Sequence, residues 1–287
     1  MAWTFTDDVA AYSAAVGSLL NSEPERHTVL LSVLATLMSC GPTAFGPAAP
    51  LLGWWSDGGA VTAAVLQTPP HALLMTGFDG HSAAELAEVL AERGTVLPGI
   101  NGAEPDAAAF ALAWRGVTGQ QGQAHQRQRL YRLGKLIPPD PAPPGAARVA
   151  TAGDIAIARR WYAAFAAETG MEEAPTAMIE NRLAAGQFTL WEAAGQPTAM
   201  AGMTDVINGT ARIGPVYTPP SLRGRGYGGG VTAAITELAS DRGAASVVLF
   251  TDLANPASNS IYLKLGYEPV EDRVLITFIG SAREPSY

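Results

Sequence analysis

Residues 137–147 read Ile-Pro-Pro-Asp-Pro-Ala-Pro-Pro-Gly-Ala-Ala, five prolines in eleven positions near the middle of a 287-residue chain. Proline has a fixed φ and no N–H, so neither a helix nor a sheet ladder can run through such a stretch. A semi-rigid extended spacer is expected there. The chain then divides into an N-terminal domain, 1–136, the Pro-rich linker 137–147 and a C-terminal domain, 148–287. A domain takes roughly 100–200 residues, which fits that division. The competing reading is a Pro-rich surface loop inside a single domain.

Composition narrows the class. Apolar residues make up 48% and charged residues 15%, which excludes a disordered polyampholyte and a coiled coil. Lysine occurs only as Lys135 and Lys264, so a Schiff-base enzyme is not expected. The net charge is −8, and acids exceed bases in both halves. That argues against nucleic acid as a partner. One cysteine, Cys40, excludes a disulfide framework and a cysteine metal site. No residue pair has metal-ligand spacing, so no metal is expected. The start, MAWTFTDDVA, is acidic where a signal peptide is basic. The apolar run Thr28 to Cys40 is too short for a bilayer core of about 30 Å. A cytoplasmic protein without membrane contact is expected.

Patterning gives an α/β (α+β) chain. The first half reads as helices at 6–20 and 25–38, strands at 51–57, 60–67 and 72–77, and helices at 82–93 and 104–117. A last strand falls at 123–133. The second half reads as a short strand at 148–150, a helix from Ile155 capped by Asp154, and a helix at 176–185. Strands follow at 188–193, 198–205 and 210–217, then a helix at 226–240, a buried-type strand at 246–252 and a helix at 258–265. Two final strands, 267–270 and 273–278, complete it. Gly214-Pro215 lies inside the strand 210–217, and proline there implies a bulge or a point where strands part.

The segment with chemical content is GPVYTPPSLRGRGYGGGVTAAITELA, residues 214–239. A strand feeds a glycine-rich loop that opens into a helix, an arrangement whose backbone N–H groups cradle a phosphate or pyrophosphate. Arg223 and Arg225 add positive charge beside it. Gly224, Gly226 and Gly229 also fit the dinucleotide fingerprint G-x-G-x-x-G. That fingerprint needs its first glycine in a tight turn directly off the strand, whereas Thr218 to Arg223 intervene here.

The other pattern is Arg/Gln-x-x-Gly-x-Gly/Ala, filled by Arg223, Gly226 and Gly228. A second follows: Asn255, Ser258, Tyr262, Gly266 and Tyr267 match Asn-x-x-Ser-x-x-x-Tyr-x-x-x-Gly-Tyr/Phe. On these motifs, residues 148–280 resemble the GNAT superfamily of acyl-CoA N-acyltransferases. The resemblance implies a GNAT fold for 148–287, with a mixed, mostly antiparallel sheet flanked by helices. It also implies acetyl-CoA as acyl donor, direct attack by an amine, and a small-molecule amine or amino acid as acceptor. The main chain of Val216, Tyr217 and Thr218 would pair with the pantetheine arm. The N–H groups of Arg225, Gly226, Tyr227, Gly228 and Gly229 would hold the pyrophosphate, with Gly224 in the same loop and Arg223 bracing it. Asn255 and Ser258 would contact the pantetheine end, and Tyr262 would protonate the departing thiolate.

Plainer roles stand beside these. Asn255 can cap the next helix, Tyr262 can pack in a core, and the two arginines can be solvated. No general base is readable: all four histidines lie in the first half, and Glu168, Glu172, Glu173, Asp205 and Asp252 are the carboxylate candidates. The first half repeats the element order but lacks Arg-x-x-Gly-x-Gly, with Leu97 to Gly102 as its nearest glycine loop. A degenerate GNAT-like copy is the expectation, an unrelated α+β domain the alternative. The two-part arrangement resembles the glycine N-acyltransferase-like group, related bacterial acetyltransferases and the fused mycothiol synthase. A non-catalytic acyl-CoA sensor and a protein or peptide N-acetyltransferase remain the alternative functions.

Overall fold

The computed structural model describes residues 1–171 and 174–280. Its contacts separate two units, Met1–Arg129 with the chain from Glu271 onward, and Leu130–Val270. Both are mixed α/β with mostly antiparallel strands, and the described residues form eight α-helices.

The first unit opens with β1 (Ala2–Thr6), then α1 (Val9–Ser22) and α2 (Thr28–Cys40). Sequence patterning started a helix at Thr6. Instead Trp3 turns inward as part of a strand, and Asp8 starts the helix by accepting from the N–H groups of Ala10 and Ala11. The hairpin β2 (Leu51–Asp57) and β3 (Ala60–Gln67) turns at Gly58-Gly59. β4 (Leu73–Thr76), α3 (Gly80–Glu92), β5 (Gly99–Ala103) and α4 (Glu104–Thr118) follow. β1 to β4 pair antiparallel in sequence, and β4 runs parallel to β5 with Leu73 opposite Ile100. Trp3, Trp55, Leu86, Phe110 and Trp114 fill the core. Strand β5 contains the loop expected at Leu97 to Gly102; Gly99 and Gly102 sit in it because the neighbouring Ile276 carbonyl and Met75 leave no room for a Cβ.

Strand β6 (Gln121–Leu133) leads into the second unit, where β7 (Ala146–Val149), α5 (Ile155–Thr169) and α6 (Thr176–Ala184) come first. The hairpin β8 (Phe188–Ala193) and β9 (Gln196–Met203) leads to β10 (Thr210–Tyr217), α7 (Tyr227–Asp241), β11 (Ser246–Asp252) and α8 (Pro256–Lys264). Again the first four strands pair antiparallel, and β10 runs parallel to β11. The two units thus share one order: two helices, a meander, and a parallel pair joined through a helix. The last strand, β12 (Tyr267–Ile279), is a single run where two were expected, and it enters the first unit at Glu271.

The Pro-rich stretch lies inside the second unit. Gly134 and Ile137 donate backbone N–H to Gly266 and Leu265, and the Pro144 carbonyl accepts from Trp191 Nε1 at 2.9 Å. Proline cannot join a ladder, but it packs. Pro139 and Pro143 lie against α7, and the segment runs as a strap over this unit into β7.

Asp154 behaves differently from a simple cap. Its carboxylate takes a two-pronged bond from Arg148, 2.8 Å on each side, and accepts from the Thr151 N–H. The Arg148 guanidinium holds the Asp154 carboxyl down at about 2. That value lies below the ordinary ~3.9 of an unfolded chain, so the stabilisation is present above about pH 4 and lost as pH falls from 4 towards 2. Asp154→Asn should lower unfolding free energy by ~1–2 kcal/mol at pH 7, after allowing for partial exposure of Arg148. Urea titrations at pH 7 and pH 2.5 test it: the gap between variant and wild type should shrink at the lower pH.

Candidate active site

In the second unit, β10 and β11 pair from Thr210 opposite Ser246 to Ile213 opposite Leu249. Beyond this, β10 shifts register against β9 between Ile213 and Val216, and its edge towards β11 opens. Val216 and Tyr217 pair only with Ala201 and Met200 of β9. The opening needs a partner for the carbonyl it frees. Arg182 of α6 supplies one: its Nη2 donates to Gly214 O at 2.9 Å and to Met203 O at 2.7 Å. Gly202 leaves the space, since a Cβ there would lie 2.8 Å from that nitrogen. Burial pushes the Arg182 guanidinium below its ordinary range and that of Arg212, on β10, down to about 10.

After β10 the chain crosses Thr218 to Gly226 and starts α7 at Tyr227. Arg223 is the brace of this loop: its Nε donates to Thr218 O at 2.9 Å, and its Nη2 reaches both oxygens of Glu168 at 2.6 and 2.8 Å. Gly224 and Gly226 adopt positive φ, +75° and +82°, which a side chain would resist. Gly226 is also the cap residue and has no side chain to offer. The first bond of the helix runs from Gly230 N–H to Gly226 O. Among the described residues, the N–H groups of Tyr227, Gly228 and Gly229 therefore have no acceptor, and the positive end of the helix dipole is bare. Arg225 is exposed and touches only the Ser221 carbonyl, at 3.5 Å.

The glycines of this loop have different tasks. At Gly230 a Cβ would lie 2.8 Å from Pro143 and 3.0 Å from the Trp191 ring, so packing alone demands glycine. At Gly228 the nearest atom is Thr218 Oγ1, 3.4 Å away, and at Gly229 it is Pro139 at 3.7 Å. Those positions have room in the empty protein.

Strand β11 ends at the start of α8. Asn255 caps this helix, its Oδ1 accepting from Ser258 N–H at 3.1 Å, which leaves its amide nitrogen for a ligand. Asn259, which no motif marked, ties the corner together. Its Nδ2 donates to Asp252 O and Asn255 O, and its Oδ1 accepts from Tyr131 at 2.9 Å. Its spacing of four from Asn255 was the available signal. Ile261 packs 3.8 Å from the Cβ position of Gly229, which brings α8 beside the start of α7. Tyr262 follows it, 7% exposed, between the rings of Tyr131 and Tyr267. Its hydroxyl makes no hydrogen bond to another described residue. Desolvation pushes it up to about 12, so it keeps its proton at neutral pH.

Three of the five carboxylate candidates are described, and each is engaged. Glu168 pairs with Arg223, Asp205 accepts from Gln187, and Asp252 accepts from Ala254 N–H. Glu172 and Glu173 lie outside the described residues. Among the described residues, the first unit has no counterpart of the cradle. Its loop from β4 to α3 is only Gly77 to Asp79, and Asp79 caps the helix by accepting from His81 and Ser82 N–H. These bonds hold the Asp79 carboxyl below the usual range. A fixed carboxylate thus stands where an anion would have to bind.

A parallel pair thus opens beside a bare, glycine-rich helix start. Residues 155–267 match the acetyltransferase (GNAT) family model. No curated protein matches the chain. Among solved structures, a tandem GNAT protein from the clavulanic acid biosynthesis pathway is similar at 15% identity and a TM-score of 0.59, covering 100% of both chains. A GCN5-related N-acetyltransferase from Sphaerobacter thermophilus is similar at 16% identity and 0.62, with 96% of this chain and 94% of that one covered. A GNAT-family acetyltransferase from Colwellia psychrerythraea gives 13% and 0.58, over 98% and 100%. Residues 155–267 thus match a GNAT acetyltransferase domain, and the whole chain shares the fold of a protein with two GNAT-like units. No described helix is long and apolar enough to cross a membrane.

Packing constrains Gly230 and leaves Gly228 room. Gly228→Ala should leave the fold intact or stabilise it by up to about 1 kcal/mol, yet weaken acetyl-CoA binding at least about tenfold by narrowing the cradle. Gly230→Ala should lower the melting temperature through its clash with Pro143 and Trp191. Calorimetric titration and thermal melts of both variants check the contrast.

Proposed function

We propose that the protein is an acetyl-CoA-dependent N-acetyltransferase acting on a small primary amine or an amino acid. The observation carrying this is the pairing of an open β10 edge with three acceptor-less N–H groups at the start of α7. When bound, acetyl-CoA supplies an acyl thioester already activated towards amines. The N–H groups of Tyr227, Gly228 and Gly229 hold the pyrophosphate, as helix starts hold anions generally. The main chain of Val216 to Thr218 aligns the pantetheine arm as a strand would, and the free amide nitrogen of Asn255 donates to it. Ser258 stands beside Asn255 on the first turn of α8.

Tyr262 is the acid. Its proton, held at neutral pH by burial, passes from Oη to the sulfur as the carbon–sulfur bond breaks. General acids of this kind contribute roughly 10²–10⁴-fold. With Glu168, Asp205 and Asp252 each engaged, the acceptor reacts as the neutral amine, its proton leaving through water.

An assay of CoA release against a panel of amines tests the reading. Amine-dependent release is expected; tight acetyl-CoA binding without it would make the protein a sensor. Tyr262→Phe should reduce kcat about 10²-fold while changing acetyl-CoA affinity little. The pH profile should rise to the pKa of the acceptor amine and show no falling limb below about pH 10, because Tyr262 loses its proton only near 12.

A further inference from the structure

The first unit contains a cavity of about 730 Å³ at the C-terminal ends of its parallel strands β4 and β5. Thr76 and Gly77 close one side, and Ala103 to Asp106 another. Ligands of open α/β sheets bind at this end of the strands. The walls carry buried charge, which is unfavourable unless each group is answered. Glu271 is answered twice, by Arg26 at 2.6 Å and by Arg273 at 2.7 Å. Three groups keep unused capacity.

Arg273 is 6% exposed, and one of its guanidinium nitrogens bonds Glu271. Its remaining N–H groups have no acceptor among the described residues. Asp106 accepts from the Phe78 N–H, with the Gly77 N–H and the charges of Glu271 and Arg273 also acting on it, and makes no ion pair among the described residues. Burial pushes the Asp106 carboxyl up. His27 is 4% exposed and lines the cavity. Its Nδ1 lies 3.1 Å from Leu20 O, and a carbonyl can only accept, so Nδ1 carries the hydrogen. Desolvation lowers the His27 pKa, which keeps the ring neutral and leaves Nε2 as a lone-pair acceptor. No described residue donates to it.

We infer that this cavity is a binding site for a small zwitterion, an α-amino acid, with its carboxylate on Arg273 and its ammonium on Asp106 and His27 Nε2. The donor and the two acceptors match the opposite ends of one such molecule. An anion alone would meet Asp106 and Glu271, and a cation alone would leave Arg273 unused. The fixed carboxylate of Asp79 at the start of α3 excludes a pyrophosphate from this unit. The site does not depend on the acetyl-transfer reading.

The experiment is calorimetric titration of the full-length protein with L-amino acids, and with their methyl esters and N-acetyl derivatives, which each lack one charge. At least one amino acid should bind with a Kd below about 1 mM, and each derivative at least about tenfold more weakly. Asp106→Asn should weaken amino-acid binding about tenfold or more and leave acetyl-CoA affinity unchanged. Absence of binding by every amino acid overturns the inference. So does equal binding of the derivatives, or unchanged binding by Asp106→Asn. If that variant fails to fold, the side-chain ¹⁵N shift of His27 in the wild type decides: it should move at saturating amino acid, and a fixed shift overturns the site.

Discussion

Two parallel strands that stop pairing halfway set the terms for everything in the second unit. Each residue of β10 past Ile213 loses its ladder towards β11, and a buried backbone group without a partner costs ~1–3 kcal/mol. The protein answers part of this itself. Arg182 reaches across from α6 and takes the Gly214 carbonyl, while β9 takes the opposite edge of Val216 and Tyr217. The edge facing the gap is left unanswered, and the helix that follows begins without a cap. Both deficits are the same kind of chemistry, unused backbone hydrogen-bonding groups. A ligand with an amide-bearing arm and an anionic end satisfies both at once.

The two units solve the same problem in opposite ways. Both have a parallel pair joined through a helix, so both present a helix N-terminus near the strand ends. In the first unit three residues make the connection and Asp79 supplies the negative charge that the dipole favours. In the second, nine residues from Thr218 to Gly226 make the connection, and Gly226 supplies nothing. A side-chain cap stabilises a helix by about 1 kcal/mol. That cap is absent at α7 and present at α3. In the first unit Gly77 also packs so closely on the Thr62 carbonyl that no Cβ fits there.

Most of this order was readable. Alternation and helical spacing located nearly every element, because each has one apolar face, and Gly214-Pro215 marked the parting of strands. What escaped has physical causes. Strand β1 escaped because five residues with Asp7 and Asp8 behind them resemble a helix start. Strand β5 escaped because Gly99 and Gly102 look like a loop, although the tight approach of Ile276 and Met75 requires glycine there. Arg182 escaped because a residue that bonds distant carbonyls leaves no pattern in its own neighbourhood, and Asn259 because its local sign is a bare spacing of four from Asn255. Within the motif, the roles of single glycines were hidden too, since a sequence shows that a Cβ is missing but not what it would strike.

The Pro-rich stretch shows how far local rules reach. They state correctly that its prolines join no helix or ladder, and composition then favours a spacer. Yet prolines are rigid and apolar, and an ordered chain can lay them on a surface with little loss of conformational entropy. Pro139 and Pro143 do this against the first turn of α7, at the glycines that a motif search would assign wholly to a phosphate. The glycines of this turn therefore differ in what keeps them bare: Pro143 and Trp191 leave no room for a Cβ at Gly230, whereas the room at Gly228 and Gly229 is not filled by the protein itself.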